Sequence, residues 1–341
     1  MRGKYHISKD GVPRKCVAIR QPCRLGGHFN TKDEAYNYSQ EKFKMEDDYE
    51  THVLYETEYD MAEAEKRGKF VEQEMEYVKT YKNTSVTEID EMGNWTKERQ
   101  EVHKKILGEL MDKYKNVPCD KKSIFSAGLP GAGKTTVLTQ YENLNMNEWA
   151  TVSSDDIKEL LAEKGYVPEV EGLTPMESST LVHEESSYLA DQLLSEFSKQ
   201  GKNIIYDFTC KKTSSALRRM DTLTDDGYKY EDMQFVYVDI DPNTAKTRAK
   251  NRYLQGLNQG INTGIENKFL DEDEQEKIIG GRYLPEHIID GCKPNDNKYS
   301  SVNAENIIEL HSDKSMNLPQ PKIYNNMGSE PVAVDYEEFV N

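Results

Sequence analysis

Five cysteines in 341 residues, scattered along the chain, are too few and too dispersed for a disulfide framework, which points to a reducing compartment. No apolar run approaches the length of a membrane span. The start, Met1 to His6, lacks the apolar segment of a signal peptide, so a cytoplasmic protein without a membrane partner is expected. Positive charge is also short: 44 Lys and Arg against 61 Asp and Glu leave a net charge of −17. A surface that acidic repels phosphodiester backbones unless a local basic patch overrides it, and nucleic acid is disfavoured as a partner. Repeats and low-complexity segments are absent. Hydrophobic residues at 36% and charged residues at 31% allow a packed core beneath a strongly polar surface, and the length allows two domains.

The first forty residues alternate basic residues and glycine with short apolar pieces such as Cys16–Ile19, which predicts one or two short strands turning at Asp10-Gly11 and Gly26-Gly27. Cys16, Cys23 and His28 lie close together in sequence. Zinc would require a fourth ligand and usually a tighter cysteine pair, so they are read as packing residues. A capping box at Thr31–Glu34 opens a charged, tyrosine-rich region. There Met61, Phe70, Val71, Met75, Val78 and Tyr81 recur at near-helical spacing, predicting one or two long helices with a thin apolar face. Polar residues 82–88 with Gly93 form the expected linker, and a further helix bearing Val102, Ile106, Leu107, Leu110, Met111 and Tyr114 ends before Pro118. Residues 1–95 are thus expected to be an accessory region and 96–341 a second domain.

That second domain is organised around Gly128-Leu-Pro-Gly-Ala-Gly-Lys134-Thr135-Thr136, which satisfies the phosphate-loop pattern G-x-x-x-x-G-K-[ST] at every required position. Lys122–Ala127 before it reads as a strand and Thr136–Tyr141 after it as the opening of a helix. Glycines 128, 131 and 133 let the backbone turn tightly, so that the N–H groups of this loop, Ala132 included, face a polyphosphate. Lys134 would reach the β- and γ-phosphates of ATP or GTP, Thr135 would hold Mg²⁺, and Thr136 continues the cradle.

From here strands alternate with helices, the signature of a parallel sheet covered by helices on both faces. Trp149–Ser153 leads into Ser154-Asp155-Asp156; Thr174-Pro175 with Glu177 should start a long helix closed by Gly201; Asn203–Asp207 ends in Phe208-Thr209; Gln234–Asp239 hands over at Asp241-Pro242 to a helix bearing Arg248 and Arg252. Ligands of such sheets gather beyond the carboxyl ends of the strands. The four strand ends should therefore converge on one cleft.

Phosphoryl transfer needs cations on the developing charge and a carboxylate to accept the proton of the attacking hydroxyl. Asp155, at the end of the adjacent strand, is the expected base, and it can also cap the helix that follows. Asp207 and Thr209 would contact the acceptor or Mg²⁺-bound water. His183, Ser187 and Asp191 share a helix face that can line the acceptor pocket. Arg248, Arg252 and Arg282 are lid candidates. Lys211 and Lys212 could neutralise a short diphosphate.

The phosphate loop, then Val152–Lys158, then Gly201–Thr209 resemble, in order and spacing, the zeta-toxin family of phosphate-loop kinases, over about residues 122–290. That resemblance implies a kinase core with a parallel sheet and helices on both faces, phosphorylating UDP-N-acetylglucosamine or a related small acceptor. It places the family's lysine at Lys134, its base at Asp155, its acidic-x-Thr pair at Asp207 and Thr209, and an acidic substrate-binding residue at Asp191, with Glu184 and Glu185 as competing neighbours. It also implies a protein partner such as an antitoxin, for which the N-terminal helices are the expected docking element. Asp207-Phe-Thr-Cys-Lys211 departs from the family's acidic-Gly-Thr-x-Arg piece. Two other readings accompany this one: a polynucleotide or nucleoside kinase on the same core, and a nucleotide-dependent interaction module without catalysis.

Overall fold

In a computed structural model, residues 5–7, 13–15, 28–29, 59–82, 94–267, 277–295 and 298–340 are described. Near the N-terminus, β1 (Tyr5–Ile7) pairs antiparallel with β2 (Pro13–Lys15) and β3 (His28–Phe29). Cys16, Cys23, the His28 side chain, the Thr31–Glu34 capping box and most of the expected linker lie outside the described residues. The thin-faced helix is α1 (Met61–Lys82), of which Val71 and Met75 are buried. The helix before Pro118 is α2 (Lys97–Lys113), with the Thr96 hydroxyl accepting from the Arg99 N–H at its start.

The centre is a six-stranded sheet of β4 (Ser123–Gly128), β5 (Ala150–Ser153), β6 (Ile204–Phe208), β7 (Met233–Asp239), β8 (Lys322–Asn325) and β9 (Val332–Val334), in the order β5-β6-β4-β7-β8-β9. Every neighbouring pair is parallel except β8–β9. Parallel strands demand crossovers that bury both faces, and the continuous apolar runs supply residues for both. Phe125, Tyr206, Phe235 and Tyr237 point to one side. There they meet α4 (Ser154–Glu163), α5 (His183–Lys199), α6 (Thr213–Asp225) and α9 (Val302–Ser312). The Phe125 and Phe235 rings stack at 4.8 Å. Ile124, Ile205, Val236 and Val238 point to the other side. They meet the segment after the phosphate loop, with α7 (Pro242–Asn267) and α8 (Glu286–Asp290). A short closing helix, α10 (Tyr336–Val340), follows β9.

Two expectations need correction. The phosphate loop is followed by one α-helical turn, α3 (Lys134–Thr136), that passes into a π-helical turn over Val137–Tyr141. The long helix expected from Pro175 begins as an α-helix only at His183, after a 3₁₀ turn over Ser179–Val182. The capping box is nevertheless formed. The Thr174 N–H and hydroxyl donate to Glu177 Oε2 at 2.8 and 3.1 Å. Glu177 is also bonded by tertiary partners, and the backbone goes on through the short-range bonds Ser179 N–H to Met176 O and Leu181 N–H to Ser178 O before the α-helix begins.

Candidate active site

The carboxyl ends of β4, β5 and β6 open on one cleft. At its floor Gly128, Gly131 and Gly133 take φ of +147°, +81° and +85°, a region that L side chains rarely adopt. A Cβ on Gly128 would stand 2.6 Å from the Val238 carbonyl oxygen, and one on Gly133 would stand 2.7 Å from Asn326 Nδ2. The loop is therefore shaped by glycine to present backbone N–H groups rather than side chains. Asn326, just beyond β8, donates to the Ala132 carbonyl at 2.7 Å and braces the loop from behind.

Lys134 follows directly. Its Nζ donates to the Gly128 carbonyl at 3.3 Å and stands 3.7 Å from Asp207 Oδ1. Thr135 and Thr136 are exposed at the first turn of α3. Asp207, next to last in β6, is in register with Ser126 of β4 and keeps 31% side-chain exposure. Surrounding protein raises its pKa to about 6 by desolvation, with the Asp155 and Asp156 charges adding to the rise and Lys134 opposing it.

Asp155 sits in the first turn of α4, capped by Ser153, whose hydroxyl accepts from the Asp156 N–H at 3.3 Å. Its Oδ2 is paired with Arg282, and its Oδ1 accepts from Lys158 at 3.3 Å. Burial alone would raise its pKa, but the charges of Arg282, Lys158 and Lys134 hold it well below the usual carboxylate range. Lys158, almost wholly buried, is pushed down to about 8 by desolvation and by Arg282, against the pull of Asp155. Arg252 of α7 faces the same group. Its pKa is lowered by desolvation and by Arg282, while Asp155, Glu159 and Asp207 oppose the shift. His183 is lowered by burial and by the Lys158 and Arg282 charges.

The fold thus brings Lys134, Asp155, Asp207, Arg252 and Arg282 together. It places others elsewhere. Arg248 bonds the carbonyls of Asn326 at 2.9 Å and Gly328 at 3.2 Å, so its guanidinium braces the β8–β9 turn behind the phosphate loop. Asp191 is held by Arg218 at 2.7 Å and Arg219 at 3.2 Å, with Arg219 lying over the Tyr206 ring. Thr209 offers its carbonyl to Asn303 at 2.5 Å. Glu185, a competitor of Asp191 for the acceptor, is used in packing: Arg99 forks onto it at 2.6 and 2.8 Å and His103 meets it at 2.7 Å. Phe208 packs, partly buried, against Phe125, the ring centroids 6.0 Å apart.

Sequence reasoning passed over Lys158, although its place three residues after Asp155 in a helix was the signal. It also passed over Asn326, and it read Glu177 only as a helix-start residue; the further roles of both depend on strands and loops far away in the chain. The donors available to a cation are hard oxygens, Thr135 Oγ1 and the two carboxylates, and no cluster of three or more metal-ligating side chains occurs among the described residues. That set fits a Mg²⁺ held mainly through substrate phosphates. Among the described residues, no helix is long and apolar enough to cross a membrane.

The zeta toxin family model matches residues 109–310, more than half of the chain. Among solved structures, the AvrRxo1-ORF1:AvrRxo1-ORF2 complex with sulphate ions is 17% identical with a TM-score of 0.50, over 71% of this chain and 68% of that one. The PezAT chromosomal toxin-antitoxin system of Streptococcus pneumoniae is 13% identical with a TM-score of 0.44, over 66% and 76% of the two chains. No curated protein gives a match. The sheet order, the phosphate loop and the match over residues 109–310 agree, and the chain belongs to the zeta toxin family of phosphate-loop kinases.

Proposed function

We propose that this protein transfers the γ-phosphate of ATP or GTP to a hydroxyl of a small acceptor, with a nucleotide sugar such as UDP-N-acetylglucosamine the leading candidate. The observation that carries the reading is the meeting of Lys134, Asp155, Asp207, Arg252 and Arg282 beyond the phosphate loop. Backbone N–H groups of residues 128–134 bind the polyphosphate, and Lys134 leans on the β- and γ-phosphate oxygens. Thr135 would hold Mg²⁺ together with the nucleotide's phosphates, and the ion would supply positive charge to the transferring group. The acceptor O–P bond forms as the bond from the γ-phosphorus to the bridging oxygen breaks, and the hydroxyl proton passes to Asp155 Oδ2.

As paired here with Arg282 and Lys158, Asp155 is a weak base. When Arg282 turns from the carboxylate to the γ-phosphate, the charge that depresses Asp155 is withdrawn and its basicity rises toward the range useful for proton abstraction. One arginine would thereby couple nucleotide arrival to activation of the base. The acidic surface, with net charge −17, supports a small acceptor over a polyanion. The AvrRxo1-ORF1:AvrRxo1-ORF2 structure joins two proteins, which supports a protein partner here, and the helices of residues 1–95 remain the proposed element for it.

The test offers γ-labelled ATP with Mg²⁺ to separate pools of nucleotide sugars, nucleosides and 5′-hydroxyl oligonucleotides. Label in the nucleotide sugars is expected. Label only in the oligonucleotides would replace this reading with a polynucleotide kinase, and label in no pool would favour the non-catalytic module.

A further inference from the structure

Arg282 stands on a strap, residues 277–285, that crosses α7 without regular structure until α8 begins. Its Gly280-Gly281 pair lies so close to α7 that a Cβ on Gly256 would fall 2.5 Å from Gly281 Cα. A cavity of about 350 Å³, lined in part by Arg67, Thr174, Leu257 and Gly280, borders the strap, α1 and α7, so discrete contacts decide where the strap rests.

Those contacts lead to α1. Arg67 of α1 donates from Nε and Nη2 to the Glu177 carboxylate at 2.8 and 2.6 Å. Glu177, 1% exposed, also receives the Tyr253 hydroxyl at 2.6 Å and the Thr174 N–H at 2.8 Å. Thr174 abuts the strap, since a Cβ on Gly280 would collide with its side chain. Two residues further on, the Met176 N–H donates to the Ile279 carbonyl at 2.9 Å. The next residue of α1, Gly68, admits the Tyr283 ring so closely that a Cβ there would come within 2.3 Å of it, and about one turn further on Glu72 accepts the Tyr283 hydroxyl at 3.0 Å. Tyr283 is the residue next to Arg282. α1 therefore meets the strap directly at Tyr283, just after the arginine, and reaches Gly280, before it, through Glu177 and Thr174, and it does so from outside residues 109–310, the segment matched by the family model.

We infer that α1 is a positioning element of the phosphoryl-transfer site, with Arg67 and Gly68 setting the strap so that Arg282 faces the terminal phosphate of the bound nucleotide. The inference rests on the kinase reading. Arg67 is a positioning residue here: it touches no substrate and acts through Glu177, Thr174 and Arg282.

The experiment is a double-mutant cycle on the full chain, read as the ratio of dissociation constants for ADP and ATP in Mg²⁺ by isothermal titration calorimetry. A contact made only to the terminal phosphate moves this ratio and leaves ADP affinity alone. Arg282→Ala and Arg67→Ala should each lower the preference for ATP about tenfold, and the double variant no further than either single one, because both remove the same contact. Tyr253→Phe, which keeps the ring and deletes one hydrogen bond to Glu177, should show a smaller loss in the same direction and serves if Arg67→Ala does not fold. Additive losses, or Arg67 and Tyr253 variants with the wild-type ratio, would overturn the inference while leaving the kinase reading intact. A wild-type protein that binds neither nucleotide would overturn both.

Discussion

Asp207 provides a quantitative test of how the empty cleft is charged. With a pKa of about 6, only about a tenth of it is protonated at pH 7. A phosphate oxygen that engages Lys134 must come within about 3 Å of Nζ, and Nζ is 3.7 Å from Asp207 Oδ1. The arriving negative charge therefore lies about 6 Å from the carboxylate. At an effective dielectric near 20, that repulsion is on the order of 3 kcal/mol, equivalent to about 2 pH units. Asp207 should then titrate near pH 8 in the Mg²⁺-free complex. Binding of ADP at pH 7 should draw in roughly 0.8 proton. The assay is calorimetry of ADP binding with EDTA in buffers of different ionisation enthalpy, wild type against Asp207→Asn. His183 and the nucleotide's own titration contribute equally to both proteins, so the difference belongs to Asp207. Mg²⁺ should reduce it, because the cation offsets the phosphate charge. Equal proton uptake by the two proteins would refute both the raised pKa and the placement of the phosphates beside Lys134.

Asp155→Asn should still bind nucleotide but lose transfer by about two to four orders of magnitude, as expected for a positioned proton acceptor; an equal loss of nucleotide affinity would mark Asp155 as a metal or structural residue. Glu185→Gln strands Arg99 in a buried pair and should cost about 3–5 kcal/mol in thermal or denaturant unfolding with nucleotide affinity unchanged, whereas a stability within 1 kcal/mol or so of wild type would contradict the buried network. Because the Glu185 pKa is lowered against the effect of burial by His103 and Arg99, its contribution should be present at neutral pH. That contribution is lost on acidification through its folded-state pKa, and the variant should flatten this part of the pH–stability curve. Metal analysis of the purified protein should find no stoichiometric zinc; one zinc per chain that disappears in Cys16→Ser would reverse the packing assignment of Cys16, Cys23 and His28.

The parts of this fold that were readable in the sequence are those whose cause is local. Residues 123–128, 204–208 and 233–239 are short apolar runs, and a strand buried on both faces requires just that pattern. The phosphate loop was readable because its glycines have no substitute at positive φ. What was missed depends on distant partners. Thr174–Glu177 carries a helix-start signature, but Arg67 and Tyr253 claim the glutamate, and the α-helix waits until His183. Arg248 and Arg252 are one helical turn apart, yet carbonyls after β8 capture the first while the second faces the cleft. Strands β8 and β9 are short and partly exposed, and such strands carry a weak periodic signal. Helix α1 showed its thin apolar face, but Arg67, which ties it to Glu177, looks, in sequence, like any other charge on a solvated helix.

The central claim is that this phosphate loop drives phosphoryl transfer, and it is tested most directly by ADP formation from MgATP in the presence of a small-metabolite extract, wild type against Lys134→Ala. Lys134 is partly exposed and, among the described residues, bonds only the Gly128 carbonyl and, at longer range, Asp207, so its removal should leave the fold intact. Extract-stimulated ADP formation by the wild type that vanishes in Lys134→Ala, with unchanged thermal unfolding, is the predicted result. The same rate in both proteins, or no turnover by the wild type with any extract, would contradict the account.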